Sequence, residues 1–219
     1  MSGSSGELPN DMAPVGQLAE VRRLPLEKLS DAALARALAA GDSSAQGQAW
    51  DRYSPLVRGL LRRSLGPDAE VEDLLQDVFI RFFKSVSSLR DDGAVRSFLI
   101  GITVRVVSNE LRRRRVRRWL RLTPSGEVPE ETTAVDEEAR EALRRLYQIL
   151  DGLSTEARLC FVLRRIQGLE LTEVASALDV SLATAKRRIA KVNQHVSAQA
   201  ARDPYLQGYA DASEGRRGR

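Results

Sequence analysis

The strongest constraint on the fold is a run of apolar residues that repeats at intervals of three and four. Val71, Leu75, Val78 and Phe82 form one such stripe, and the opposite face is charged or polar. This spacing places the apolar side chains on one side of an α-helix, where they can pack into a core. Similar stripes recur along the chain, and a content of 42% hydrophobic and 29% charged residues is typical of helices with ion-paired outer faces. The sequence therefore predicts an all-α protein.

Prolines, a glycine and acidic residues interrupt the helical pattern in the middle of the chain, which predicts an exposed, flexible linker over residues 122–135. Two small helical domains are expected on either side of it, over residues 29–121 and 136–202. Residues 1–28 are rich in Ser, Gly and Pro and show no sustained period, so they are predicted to be a flexible extension. Residues 203–219 are predicted to be a disordered tail.

Positive charge is concentrated in a few places along the chain. The formal net charge is only +4, but the sequence pI is near 9.6 and residues 112–121 are dominated by Arg. Local basic faces attract polyanions, so nucleic acid is a candidate partner from composition alone. The alternative for such a run is a solvated helix end or a phosphate clamp without sequence preference.

Other features favour a soluble protein of the cytoplasm that does not insert into a membrane. The longest apolar run, Phe98–Val104, is too short to span a bilayer. The single cysteine, Cys160, lies in an apolar segment and is predicted to be a buried small side chain, with a reactive thiol as the less favoured alternative. There is one histidine, His195, no cluster of Cys or His ligands and no glycine-rich phosphate loop. We therefore expect no metal, no cofactor and no catalytic residue.

Residues 169–189 have the layout of a helix-turn-helix, in which a second helix enters the DNA major groove. Ser181 is a good N-cap for that second helix. The side chains expected to face inward are Leu182, Ala185, Ile189 and Val192. The candidate DNA contacts are Ser181, Thr184, Lys186, Arg187, Arg188 and Lys191. Arg and Lys can bond guanine edges or hold phosphates, whereas the alternative is a helical hairpin whose charged side is only solvated.

Two separated blocks of sequence resemble the extracytoplasmic-function (ECF) sigma factors of the sigma-70 family. The first, DLLQDVFIRF at residues 73–82, is similar to the polymerase-binding helix of the family's region 2. The second comprises LSTEAR at residues 153–158, RRIQGL at residues 164–169 and the helix-turn-helix, and it resembles region 4. The resemblance covers about residues 29–198. It implies a protein that binds core RNA polymerase and directs it to promoters by recognising a minus-thirty-five and a minus-ten DNA element.

The resemblance also implies where each partner binds. Asp73, Gln76 and Asp77 would contact the clamp helices of the largest polymerase subunit, and the recognition helix would bind the minus-thirty-five element. The loop before the fourth predicted helix and that helix would open the minus-ten element and hold an unpaired base, driven by binding energy. The minus-ten candidates are Arg90, Asp91, Arg96, Arg105, Ser108, Asn109, Arg112 and Arg113. Family members often have an anti-sigma factor that covers both DNA-binding domains, so such a protein is a further candidate partner.

The predicted minus-ten helix departs from the family pattern at three positions. Phe98 stands where Trp is usual, Gly101 where Arg is usual and Arg105 where Asn is usual. These changes leave the fold intact but alter the expected contacts with the minus-ten element. Arg105 is expected to replace a base contact with a phosphate contact.

Two other functions fit parts of the sequence. A dimeric helix-turn-helix repressor or activator would explain the second domain but would leave the first without a role. An enzyme acting on DNA, such as a recombinase, would need a nucleophile with a base or a metal centre, and the residues supply neither. A sigma factor that catalyses nothing itself accounts for both domains.

Overall fold

The computed structural model describes residues 29–66, 71–89, 92–120 and 137–207. Its α-helices are α1 Asp31–Ala39, α2 Ser43–Leu65, α3 Val71–Ser85, α4 Val95–Leu120, α5 Glu137–Asp151, α6 Thr155–Phe161, α7 Leu171–Ala177 and α8 Leu182–Ala200. The 3₁₀ turns Val86–Ser88 and Asp92–Ala94 precede α4, and a π turn, Val162–Ile166, continues α6. These four ranges contain no β-strand, which confirms the all-α prediction, and within them no helix is both long and apolar enough to cross a bilayer. We call α1–α4 the first module and α5–α8 the second.

Side chains at the helix ends set where the first helices begin and stop. The Ser30 hydroxyl accepts a hydrogen bond from the Ala33 amide at 3.2 Å and caps α1. The Asp42 carboxylate accepts one from the Ser44 amide at 2.8 Å and caps α2. At the other end of α2, Gly66 has a φ of 93°, which residues with a side chain rarely adopt. The chain therefore leaves α2 sharply at this glycine.

Aromatic rings hold the first module together. Phe79 and Phe82 of α3 are 2% and 0% exposed. The Trp50 ring of α2 lies 4.6 Å from that of Phe79, and the Phe98 ring of α4 lies 6.3 Å from that of Phe82, centroid to centroid. Ring pairs of this kind contribute beyond the burial of their area. They fix α3 between α2 and α4 and leave its outer face open.

The second module consists of shorter helices that pack against α8. The Ser154 hydroxyl accepts a hydrogen bond from the Ala157 amide at 3.2 Å, which confirms its predicted role as the cap of α6. Cys160 is fully buried, which confirms the prediction for this residue. Burial raises the pKa of the Cys160 thiol and keeps it protonated, so it behaves as a small apolar side chain.

A tight turn joins α7 to α8, as the helix-turn-helix prediction required. Asp179 has a φ of 53°, a left-handed conformation that Asp tolerates better than most residues. The Val180 amide donates to the Ala175 carbonyl at 3.0 Å and closes the turn. The Ser181 hydroxyl accepts a hydrogen bond from the Thr184 amide at 3.2 Å, so Ser181 caps α8 as predicted. These bonds fix the direction in which α8 leaves α7.

The two modules pack directly on each other through α4. Helices α6 and α7 lie against α4, and the π turn lies against α2. The buried side chains form one continuous apolar cluster that includes Leu99 and Val107 of α4 with Leu159 and Val174 of the second module. Helix α4 is therefore covered on two sides, and only the rest of its surface is open.

The beginning of α8 differs from the sequence expectation. Leu182 was expected to face inward but is 48% exposed. Its neighbours Ser181 and Ala183 are exposed as well. The first turn of α8 therefore projects beyond the helices that cover the rest of it, and this explains why an apolar side chain at an inward position finds nothing to pack against.

The predicted disordered tail is ordered at its beginning. Residues 203–207 follow α8 in a series of turns, and Leu206 is only 6% exposed. The guanidinium of Arg145 on α5 lies 5.7 Å from the centroid of the Tyr205 ring, a cation–π contact. The prediction was wrong for these five residues because an apolar and an aromatic anchor tie them to α5 and α8.

The aromatic cluster makes a direct stability prediction. We expect Phe82→Ala to lower the free energy of unfolding by about 3–5 kcal/mol, because it removes a fully buried ring and leaves a cavity. Ile80→Ala on the same helix is the control, since Ile80 is 52% exposed and its truncation should cost less than about 1 kcal/mol. Urea denaturation followed by circular dichroism measures both, and equal losses would contradict the packing described here.

Candidate nucleic-acid interface

The outer side of α8 carries the basic residues predicted to contact DNA. Lys186, Arg187 and Lys191 are exposed, and Thr184 and Arg188 are half-buried beside them. The basic residues lie within about 8 Å along the helix axis, because each residue of an α-helix adds about 1.5 Å. A positive surface on a helix of this diameter fits the DNA major groove, which is about 12 Å wide.

Buried residues on the opposite side of α8 hold this surface in position. Ala185, Ile189 and Val192 are at most 7% exposed and face the helices α6 and α7 that pack on α8. Rotation of α8 about its axis would expose them to water, so the packing fixes which residues face out. At the beginning of the helix the Ser181 hydroxyl donates to the Thr184 hydroxyl at 2.9 Å. The structure thus places the six predicted residues at or beside one solvent-facing side.

The candidates on α4 form a second polar surface. Arg105, Asn109 and Arg112 are exposed and follow one another at intervals of four and three, so they share one face of the helix. Arg113 is exposed next to them. Ser108 is half-buried, and its hydroxyl donates at 2.8 Å to a backbone carbonyl one turn earlier. These five candidates are brought together by the helix itself.

Arg90 and Asp91 lie outside the described residues, so their position stays a prediction. Of the three positions that depart from the family pattern, Phe98 belongs to the aromatic core. Gly101 is half-buried, and a Cβ built on it would have no neighbouring heavy atom within 4 Å. A larger side chain would therefore fit there. Gly101 lies one turn before Arg105. Because it has no side chain, it leaves space beside that arginine on the polar face of α4.

Two arginines of α4 are paired with carboxylates of the second module. Arg96 lies nine positions before Arg105, about half a turn around the helix axis. There its Nη1 is 2.6 Å from Oε1 of Glu173 on α7. Farther along α4, Nη2 of Arg112 is 3.6 Å from Oε1 of Glu156 on α6. Arg96 thus lies away from the face that Arg105, Asn109 and Arg112 share. Both ion pairs connect α4 to the second module.

The charged form of both glutamates is favoured. The pKa of the Glu173 carboxyl lies below its ordinary value, first because Oε2 accepts a 2.8 Å hydrogen bond from the Glu170 amide and then because Arg96 is close. The pKa of Glu156 is lowered mainly by its own backbone amide, with smaller contributions from Ser154 and Arg112. Arg96 and Arg112 therefore each lie close to a carboxylate whose charged form is favoured.

The outer face of α3 carries the predicted polymerase contacts. Asp73 and Gln76 are exposed, and Asp77 is half-buried with Oδ1 2.9 Å from Nε of Arg81. Ile80 lies on the same face, one turn after Gln76 and Asp77, and is 52% exposed. The sequence analysis missed Ile80, although an apolar residue at a polar position of the helical stripe was a signal for it.

A polar contact between the modules was also missed. Arg158 of α6 is only 4% exposed, and its Nε donates at 2.6 Å to the Ser64 carbonyl in the last turn of α2. A second guanidinium nitrogen bonds the Asp151 carboxylate. The Tyr147 hydroxyl donates at 3.3 Å to the Arg62 carbonyl, also in α2. The last carbonyls of a helix lack partners within it and carry partial negative charge, so these donors stabilise the end of α2.

An apolar groove of about 400 Å³ opens in the second module. It is lined by α5, α6, the π turn, α8 and residue Leu206 after α8, with Leu143, Leu146 and Val196 among its walls. Leu143 is 50% exposed there. The described parts of the chain hold no group of three or more His, Cys, Asp or Glu residues that could bind a metal ion. The groove thus offers mainly apolar contact area, with Arg165, Asn193 and Ser197 as polar residues in its walls.

Known protein families match each module. The sequence model described as Sigma-70 region 2 matches residues 49–117, and the one described as Sigma-70, region 4 matches residues 143–194. The ferric citrate uptake sigma factor FecI of Escherichia coli (strain K12) is 33% identical over 145 residues, which are 64% of this chain and 81% of that protein. The ECF RNA polymerase sigma-E factor of the same strain is 25% identical over 188 residues, which are 78% of this chain and 94% of that protein.

A solved structure shares the fold. CnrH, in complex with the cytosolic domain of CnrY, matches with a TM-score of 0.61 and 25% sequence identity over 80% of this chain and 99% of that chain. The match spans more of the chain than either module alone, so the likeness covers both. These relatives are also matched over most of their own length.

The lowered pKa of Glu173, caused first by the hydrogen bond from the Glu170 amide and then by Arg96, makes stability depend on pH in a defined direction. Because its folded-state pKa is below the ordinary 4.5, its contribution is complete above about pH 5 and is lost as the pH falls through the lowered pKa. We expect Glu173→Gln to be less stable than the wild type at neutral pH and the difference to shrink below about pH 4.5. Urea denaturation of both proteins at several pH values measures this, and a difference that stays constant down to about pH 3 would contradict it.

Proposed function

This chain belongs to the sigma-70 family and is a sigma factor of the ECF type, and we propose how its surfaces direct promoter-specific transcription initiation. The observation that carries the proposal is the presence in one chain of a region 2 module with a polar outer face on α3 and a region 4 module with a basic outer face on α8. A dimeric helix-turn-helix repressor or activator is not favoured, because it would use only the second module.

Helix α8 is proposed to enter the major groove of the minus-thirty-five element. Exposed Arg187 and Lys186 are suited to guanine, whose O6 and N7 accept two hydrogen bonds from one arginine. Arg188 and Lys191 are suited to phosphates. Thr184 lies in the first turn of α8, where free backbone amides also attract phosphate oxygens. Under this proposal Lys186 and Arg187 select the DNA sequence, whereas Arg188, Lys191 and Thr184 position the helix on the duplex.

The open face of α4 is proposed to bind the minus-ten element. Asn109 can bond base edges, while Arg105, Arg112 and Arg113 can neutralise phosphates. Unstacking a base costs a few kcal/mol, and contacts made only with the opened strand can offset it. Melting then follows from binding energy alone. The proposal therefore includes neither a catalytic residue nor a cofactor.

The outer face of α3 is proposed to bind the clamp helices of core RNA polymerase. Exposed Ile80 would lie at the centre of that contact, with Asp73, Gln76 and Asp77 beside it. An apolar anchor bordered by polar side chains is the usual arrangement of an energetically important contact. Because α3 is fixed by its buried aromatic side, this surface is presented rigidly.

The proposal extends to a protein inhibitor. CnrH, which this chain resembles, is bound in the solved structure by the cytosolic domain of another protein. We infer by this likeness that an anti-sigma factor is a further partner of this chain. Promoter recognition takes place where the bacterial chromosome is, and the proposed site of action is therefore the cytoplasm.

The minus-thirty-five assignment is tested with Arg187→Ala. We expect the variant holoenzyme to bind a promoter selected from random DNA roughly 10-fold to 100-fold more weakly, because one good guanine contact contributes about 1–3 kcal/mol. Arg36→Ala on α1 removes the same charge far along the sequence and should leave binding unchanged. Gel-shift titration measures both variants. Unchanged affinity together with unchanged sequence preference for Arg187→Ala would refute the assignment.

The polymerase assignment is tested with Asp73→Lys and Ile80→Ala. We expect each to weaken binding to core polymerase by roughly tenfold or more, the first through charge reversal and the second through loss of the anchor. Asp51→Lys, at an exposed position of α2, is the matched control for charge. Fluorescence polarisation with labelled protein gives the dissociation constants. Equal affinities for the wild type and both α3 variants would place the polymerase contact elsewhere.

A further inference from the structure

We propose that the C-terminal segment of this chain, residues 208–219, folds back onto the apolar groove of the second module and inserts the Tyr209 ring between α5 and α8. This inference goes beyond the proposed function and does not depend on it. It assigns the groove a ligand from the chain itself, which any other apolar partner of the groove would have to displace.

The groove is an apolar surface that the described residues leave uncovered. Its volume is about 400 Å³, and Leu143, Leu146 and Val196 are among its walls. Leu143 is 50% exposed, although it lies beside other apolar side chains. A concave and mainly apolar surface is the usual form of a ligand site. The groove therefore fits a side chain with a large apolar area.

The described part of the chain ends at the wall of this groove. After α8 the chain forms a series of turns, in which the Leu206 and Gln207 amides donate to the Asp203 carbonyl at 3.0 and 3.1 Å. Leu206 is 6% exposed and is itself one of the residues that line the groove. The twelve residues 208–219, which lie outside the described ranges, therefore begin beside the groove.

Further contacts hold these turns against α5 and the end of α8. Oδ2 of Asp203 lies 4.0 Å from Nε of Arg145 on α5, and the Arg145 guanidinium lies 5.7 Å from the centroid of the Tyr205 ring. Nε2 of Gln207 donates to the Ala201 carbonyl at 3.2 Å. Because the start of the segment is anchored, docking of the next residues orders only a short length of chain and costs little conformational entropy.

Tyr209 is the residue of the segment whose position and size fit the groove. It is the only aromatic or large apolar residue among residues 208–219. It lies three positions after Leu206, and three extended residues span about 10–11 Å. Packed helices have axes about 8–10 Å apart. The Tyr209 ring can therefore reach the space between α5 and α8 without any movement of the described residues.

The chemistry of the groove also matches a tyrosine. A tyrosine side chain can bury about 150–250 Å² of surface, and its hydroxyl usually finds a hydrogen-bond partner when the ring is buried. Arg165, Asn193 and Ser197 supply polar atoms among the groove walls. Nε of Arg165 donates to Oδ1 of Asn193 at 3.3 Å, which holds these two side chains together. The groove thus offers apolar walls to the ring and polar atoms to the hydroxyl.

The first test is nuclear magnetic resonance of the full-length chain with isotope-labelled leucine and valine methyl groups. We expect nuclear Overhauser cross-peaks from the Tyr209 ring protons to methyl groups of Leu143, Leu146 and Val196, and we expect Tyr209→Ala to remove them. Absence of these cross-peaks in the wild type would overturn the inference. Cross-peaks that arise only between differently labelled copies in a mixed sample would assign the groove to a second chain and would overturn it as well.

Groove variants show whether the contact is made in the groove. Leu143→Glu places a charge among the apolar walls and should remove the cross-peaks from Tyr209 to Leu146 and Val196. Leu182→Glu is the matched control, because Leu182 is 48% exposed and does not line the groove. It should leave the cross-peaks unchanged. Cross-peaks that persist in Leu143→Glu, or that vanish equally in both variants, would contradict docking in the groove.

A second measurement reports on the accessibility of the groove and involves neither DNA nor polymerase. The probe is the apolar dye anilinonaphthalene sulfonate. We expect the chain shortened to end at Gln207, and the variant Tyr209→Ala, to bind the dye roughly tenfold more tightly than the wild type, because a docked segment leaves only a small fraction of grooves open. Ser213→Ala, in the same segment, should bind it as the wild type does. Equal dye affinities for all four proteins would refute the inference.

Discussion

The burial of α4 on two sides determines most of what this protein can do. Its apolar residues contact the first module on one side and the second module on another, so Leu99 and Val107 belong to one continuous cluster with Leu159 and Val174. The remaining side holds Arg105, a residue that the core cannot accommodate without a partner. The packing of α4 therefore determines which of its side chains are exposed and could contact DNA, and which contact the second module.

The same glutamate serves both local structure and the contact between modules. Glu173 accepts a hydrogen bond from the Glu170 amide at the beginning of α7 and also bonds Arg96 of α4. Its first role caps the beginning of α7, and its second ties α7 to the first module. A substitution that keeps the hydrogen bond but removes the charge therefore separates the two roles.

Local sequence patterns predicted the helices, the caps Ser154 and Ser181 and the buried Cys160, because these features depend on spacing and on neighbours in the chain. The contact between the modules could not be predicted in this way. Arg158 bonds a carbonyl 94 residues earlier, and nothing near residue 158 distinguishes it from an exposed helical arginine. The ordered start of the tail had the same cause, since Leu206 is buried only because of where α5 and α8 lie.

The DNA and polymerase surfaces were predictable to different degrees. The basic side of α8 follows from helical spacing after a cap, whereas the resemblance to sigma factors was needed to give the polar face of α3 a partner. Ile80 was overlooked because it lies outside the apolar stripe, on the polar face of α3, where it is 52% exposed. Helical spacing alone separates Arg96 from Arg105 by about half a turn, but only the structure shows that Arg96 contacts Glu173 of the second module.

The most direct test of the account is transcription in vitro with core RNA polymerase, genomic DNA fragments and the purified chain, followed by mapping of the start sites. The account predicts starts that depend on the chain and that lie at a fixed distance from one shared pair of upstream sequences. Initiation that is absent, or that has the same start sites without the chain, on a broad set of fragments and with no inhibitor present, would contradict it.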